Sequence, residues 1–262
     1  MNLSKEYVDI YNNYIKYINE IKRECRFIEH MKNKSLKKDK KATEEEVLAL
    51  EKNNTLNDDK NKIYNFSNGD IYIGKVSEGK LSGQGVYIVT SDDKTGFEYI
   101  GEFNNDEKDG RGMCTFSNGN IYIGGFTSDL MNGIGQMTYG NNDEYIGGWE
   151  KGHKQGQGIF RWSDGSIYIG EFRKSKREGH GICFDKEGNV IYDGEWKNNQ
   201  THGKGTYIWN EGKRYEGEFM YGKKHGYGTF YLNNELVYQG TWKSDKPSIF
   251  DKTLDEIFSF KL

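Results

Sequence analysis

Proline occurs once in the 262 residues, at Pro247, and cysteine three times, at Cys25, Cys114 and Cys183. One proline against 34 glycines excludes collagen, which needs both in a strict triplet. A sparse, odd cysteine count fits a reducing compartment better than a disulfide framework. No stretch approaches the roughly 20 apolar residues that cross a bilayer as a helix. Residues 1–7 lack the apolar core of a signal peptide, Asn2 stands where N-myristoylation needs glycine, and the last residues hold no prenylation cysteine. These features predict an intracellular protein. His30, His153, His180, His202 and His225 show neither HExxH nor metal-ligand spacing, and no nucleophile elbow or Cys/His signature occurs. The expectation is therefore no catalytic, metal or cofactor site. A net charge of −3 exerts no pull toward nucleic acid.

What the sequence does hold is a period. Tyrosines followed two residues later by glycine stand at Tyr72, Tyr99, Tyr122, Tyr145, Tyr168, Tyr192, Tyr215 and Tyr238, spaced by 27, 23, 23, 23, 24, 23 and 23 residues. Taking each tyrosine as position 0, position +4 holds Val76, Phe103, Phe126, Trp149, Phe172, Trp196, Phe219 and Trp242. Glycines at +11 and +13 recur from Gly83/Gly85 to Gly226/Gly228, and Ile249 replaces the first of the pair in the eighth unit, so the array ends inside it. Residues 62–69 read as the second half of an earlier, degenerate unit. Self-similarity at a fixed short period marks a repeat architecture.

Positions 0, +2 and +4 share a parity, so they face one side of a strand, and large rings can lie over the vacancy that glycine leaves. Positions +11 to +17 repeat that layout on a second strand, with turns such as Ser163-Asp164-Gly165 between strands. One hairpin cannot bury its rings alone, but stacked hairpins can. The fold class is therefore mainly β: an elongated single-sheet array of stacked antiparallel hairpins. The unit Tyr-x-Gly-Glu-Trp/Phe…Gly-x-Gly-x-Tyr/Phe, seen in residues 192–209 and 215–230, resembles the MORN repeat (membrane occupation and recognition nexus). The resemblance covers residues 62–245, about seven repeats. It implies a non-enzymatic scaffold at a membrane–cytoskeleton junction, cilium or flagellum, or a module that docks partners.

The opposite face is apolar in the early units, at Ile71/Ile73, Ile100, Ile121/Ile123, Ile146 and Ile167/Ile169, and turns polar later, at Asp193, Glu216 and Gln239. An apolar face must be covered or it becomes a sticky patch. Within the segment 1–31, Tyr7, Tyr11, Tyr14, Ile18, Ile21, Cys25 and Ile28 recur at helical spacing, which predicts an amphipathic helix. It can fold back over the isoleucine face, form an intermolecular coiled coil, or bind a partner. Ile73, Ile100, Ile123, Ile146 and Ile169 are the docking candidates on the sheet, facing Tyr7, Tyr11, Tyr14, Ile18 and Ile21 on the helix. Residues 32–61 read as a charged linker with a short helix opened by Thr43 and Glu46. Residues 246–262 carry Phe250, Leu254, Ile257 and Phe258 at spacing that predicts a short capping helix.

Residues 69–76 nearly satisfy the P-loop pattern, but Val76 stands where a magnesium-binding Ser or Thr is needed and strand flanks it on both sides. The leading expectation is a scaffold with protein partners. The alternative is peripheral binding to anionic phospholipid through basic turns at Lys151, Lys154, Arg173, Lys174, Lys176, Arg177, Lys223 and Lys224. A solvated charged edge is the plainer reading of those turns. An accessory subunit of an enzyme is a further alternative. Neither monomer nor homodimer is selected by these features.

Overall fold

Every repeat reverses its chain on two residues at +6 and +7, and both have left-handed backbones, as at Asn105/Asp106 (φ 52° and 75°) and Asn198/Asn199 (φ 51° and 70°). That conformation defines the tight turn whose twist matches a β-hairpin. The structure, a computed structural model, describes residues 9, 11–26, 62–90, 97–209 and 211–248. Its 17 strands form one open antiparallel sheet, and a helix, α1, spans residues 11–26. The predicted linker helix and C-terminal cap lie outside the described residues.

Two compact units divide these residues. The N-terminal unit comprises residues 9–142 and 149–152; the C-terminal unit comprises 143–148 and 153 onward. In each, successive strands pair in sequence order. In the first, Lys62–Asn65 pairs with Ile71–Ser77, that with Lys80–Ile88, and so on to Leu130–Thr138. In the second, the ladder runs from His153–Arg161 to the two-residue strand Lys246–Pro247. The half-unit read at 62–69 is present as that first strand.

The core of each unit is a zipper of rings. In the N-terminal unit, Tyr99 meets Phe103 and Phe126, and Tyr122 meets Phe126 and Trp149, edge to face at 5.0–5.2 Å. In the C-terminal unit, Tyr168 meets Phe172 and Trp196, and Tyr215 meets Phe219 and Trp242, at 5.1–5.3 Å. Each such pair contributes roughly 0.5–1.5 kcal/mol beyond its buried area. A buried phenol also needs a hydrogen-bond partner. All eight repeat tyrosines find it in the same place, donating to the carbonyl at +3 over 2.8–3.1 Å. Burial raises the Tyr72 hydroxyl to about 12.

The two glycines of each pair do different work. The +13 glycine lies beneath the tyrosine ring: a Cβ on Gly112 would sit 2.5 Å from Tyr99. The +11 glycine instead has a positive φ, from 55° at Gly203 to 109° at Gly110. It sits in a bulge: Gly170 and Phe172 face Gly181 and Arg177, so a two-residue step on one strand opposes a four-residue step on the other. The second strand thus departs from the uniform layout predicted for +11 to +17. The +3 glutamate closes the bulge. Glu171, Glu195 and Glu218 accept the +12 amides of His180, Lys204 and Tyr227 at 3.1–3.2 Å.

Candidate functional site

Hairpin tips are joined by a ladder between +9 of one repeat and +7 of the next. Leu81 donates its amide to Asp106 Oδ1 at 2.7 Å, and Asp106 returns its amide to the Leu81 carbonyl at 3.2 Å. Lys108 with Asp129, Lys154 with Ser175, Arg177 with Asn199 and Lys224 with Asp245 repeat this exchange. Where +7 is Gly152 or Gly222 only the backbone half remains, to Met131 and Thr201. The +9 residues are thereby anchored, and their side chains fall on the ring face because +9 lies opposite +4, as Arg177 lies opposite Phe172.

Four of these +9 residues are basic, and they lie on rings instead of in solvent. The Lys154 ammonium is 4.7 Å from the Phe160 ring and 5.3 Å from that of Tyr145. The Arg177 guanidinium is 4.2 Å from Trp196. The Lys224 ammonium is held among Trp209 at 5.0 Å, Trp242 at 5.1 Å and Phe230 at 5.9 Å, and the residue is 1% exposed. Burial pulls Lys154 down to about 8 and Lys224 below the ordinary lysine value, with Asp143 and Asp245 opposing the shift. This corrects the reading of Lys154, Arg177 and Lys224 as outward-facing basic turns: two are buried or half-buried ammonium groups on rings, and the third is a half-buried guanidinium stacked on tryptophan. Lys151, Arg173, Lys174, Lys176 and Lys223 are exposed. What puts +9 on the ring face is its pairing opposite +4 across the bulge at +11, which alternation along the sequence does not show.

The opposite face of the N-terminal unit carries α1. Ile18 and Ile21 are fully buried. Cys25 is buried, with its Sγ 3.6 Å from the Ile100 carbonyl it donates to. Lys22 Nζ donates to Gln136 Oε1 at 3.1 Å. Arg111 lies 3.5 Å from Glu24 and 5.0 Å from the Tyr17 ring centroid. The helix therefore lies along this sheet face, in the fold-back arrangement. Tyr11 and Tyr14 are half-buried, while Tyr7 lies outside the described residues. Ile73, Ile100 and Ile123 are buried in the same unit; Ile146 and Ile169 are buried in the C-terminal unit.

On that second unit the equivalent face holds a shallow polar trough. His180, Asp193, Glu195, Lys204, Glu218 and Tyr227 line it over a floor of Gly194, Gly205 and Gly217. His180 Nε2 is 3.0 Å from Asp193. Among the described residues no group of three or more His, Cys, Asp or Glu could hold a metal ion. No helix among them is long and apolar enough to cross a membrane. All three cysteines are free and buried, and burial raises the Cys114 and Cys183 thiols to about 11.

Stacked glycine–tyrosine hairpins in an open antiparallel sheet define a class of β-hairpin repeat protein. The MORN repeat model matches residues 72–91, 99–121, 122–144, 145–167, 168–190, 192–214, 215–236 and 238–248, and the chain belongs to that family. The matches make eight repeats, one more than the seven expected. Comparison with curated proteins returned no match. One solved structure, the "SAS-4 (dCPAP) TCP domain in complex with a Proline Rich Motif of Ana2 (dSTIL) of Drosophila Melanogaster", is similar at 17% identity and a TM-score of 0.32. The match covers 50% of this chain and 69% of that one.

Proposed function

We propose that this protein is a non-enzymatic scaffold that docks protein partners at a cytoskeletal or membrane-associated structure, such as a cilium, flagellum or cell cortex. The observation that carries the proposal is the seating of α1. Burial of Ile18, Ile21 and Cys25 on the sheet turns the polar residues of α1, Asn12, Lys16, Asn19 and Arg23, outward as a fixed surface for a partner, which release of the helix would dismantle. Family membership supports the same reading, since an array of structural repeats presents extended surfaces for binding.

The test is recovery of tagged full-length protein from cells in mild detergent and high salt, beside an Ile18→Asp/Ile21→Asp variant. The expected result is a stoichiometric protein partner that the variant loses. Equal recovery by both proteins would remove the α1 face from the proposal, and absence of any stoichiometric protein would remove the scaffold. Proximity labelling in cells tests the location; enrichment confined to neither cytoskeletal nor membrane-associated proteins counts against it.

Membrane binding is the second reading. It rests on the five turn cations that remain exposed, Lys151, Arg173, Lys174, Lys176 and Lys223. Each near-surface charge contributes about 1 kcal/mol against anionic lipid. Sedimentation with phosphatidylserine vesicles at low and high salt tests it, and lipid-independent behaviour retires it.

A further inference from the structure

We propose that the recess beside Leu81 receives a lysine or arginine side chain from a protein partner. This rests on the partner-docking reading above and names the chemistry of one contact.

The protein itself shows what such ring sets hold. At +9, Lys154, Arg177 and Lys224 each lie over three rings. Those rings come from positions 0 and +15, from +4 of the next repeat, and from +17 of the preceding one. The first repeat has the equivalent rings, Tyr87 at +15 and Phe103 at +4 of the next unit, joined by Phe66, Phe97 and Tyr99. Its +9 residue is Leu81, which brings no charge to them. The negative faces of an aromatic set attract a cation from wherever it comes.

The recess is built to accept one. It has a volume of about 310 Å³, at the small end of ligand pockets, a size suited to one long side chain. Phe66 is 39% exposed, so the mouth is reachable. Asp106 and Asp129 line it against a single cation, Lys108, which is engaged with Asp129 at 3.2 Å. The remaining carboxylate, Asp106, uses one oxygen for the Leu81 amide. The Tyr87 ring is held in place, its hydroxyl donating to buried Asp70 at 2.9 Å. Lys108 already lies 5.4 Å from the Phe97 ring and 5.9 Å from that of Tyr99, so Phe66, Tyr87 and Phe103, beside Asp106, are the rings that face no built-in cation, where the second, fourth, fifth and seventh repeats each bring a base at +9.

The test is titration of the full chain with Gly-Arg-Gly, blocked at both ends, and with the same peptide carrying neutral citrulline, followed by aromatic carbon–proton NMR. The expected result is saturable shifts at Phe66, Tyr87, Phe97 and Phe103 with arginine and none with citrulline. Leu81→Lys supplies a built-in cation and should abolish the response. Asp106→Asn should weaken it about fivefold, the weight of one partly exposed charge contact. If Leu81→Lys does not fold, Phe66→Ala, at an exposed ring, must weaken binding instead. Equal shifts with both peptides, or binding untouched by every variant, overturns the proposal. Saturable arginine binding without a recoverable protein partner would leave the recess standing and sink the scaffold; the reverse pattern would do the opposite.

Discussion

Tyr99 and Gly112 lie one above the other, with the ring so close that a methyl group on Gly112 would stand 2.5 Å from Cε2. Any real side chain there must push the ring off the sheet and break its hydrogen bond to the Glu102 carbonyl. Gly112→Ala should therefore destabilise the protein by about 1–3 kcal/mol, the range for overpacking a core. The urea midpoint measures it. A shift no larger than that of Gly79→Ala, where nothing lies within 4 Å and only the φ of +78° is strained, would contradict the steric account.

Asn199 tests the tip ladder. Its Oδ1 accepts the Arg177 amide at 2.8 Å. Asn199→Gly keeps a residue that tolerates the φ of 70° and removes only the side chain. The expected loss is about 1 kcal/mol, one net hydrogen bond. A neutral result on chemical denaturation would mean that the backbone half of the ladder suffices, as it does naturally at Gly152.

Lys154 makes stability depend on pH. Burial lowers its folded value to about 8, against 10.5 in the unfolded chain. Between those values the unfolded state binds more protons, so this residue's contribution rises with pH. Below about pH 8 the ammonium is charged in both states and its desolvation opposes folding. Lys154→Met removes the dependence. The stability of the parent relative to this variant should climb from pH 8 toward 10, read as urea midpoints; a flat difference would sink the assignment. The buried tyrosines titrate in the opposite sense above pH 10, which is why the comparison stops there.

Thiol labelling reports on α1. All three cysteines are buried, and burial holds Cys114 and Cys183 near 11. The folded protein should react slowly with an aromatic disulfide reagent at pH 8. Ile21→Asp buries a carboxylate against the sheet and should release the helix. One thiol, Cys25, then becomes reactive while Cys114 and Cys183 stay protected. Mass spectrometry of the labelled peptide decides it, and equal exposure of all three would indicate global unfolding instead.

Much of this was open to reading in one dimension. The tyrosine spacing, the ring at +4 and the +13 glycine recur because every repeat solves the same packing problem, and a repeated solution leaves a repeated signature. The half-repeat at the N-terminal edge and the truncated last unit followed from the same ruler. The bulge did not. Gly181 and Gly179 look alike in sequence, yet one makes room for a ring and the other supplies a left-handed turn of the backbone. The basic turns misled for a related reason: a lysine beside a turn is ordinarily solvated, and only its place opposite +4 puts Lys224 on rings.

The amino-acid order by itself determined the period, the hairpin and the identity of the core rings, because those depend on contacts that each repeat makes with the next. Tertiary structure decided where the free surfaces are. An amphipathic stripe such as Ile18, Ile21 and Cys25 suits its own sheet, a second copy or a foreign partner, and local pattern cannot rank them. The ranking comes from the matched surface in three dimensions, where Ile100, Gln136 and Arg111, distant in the chain, converge beneath one helix.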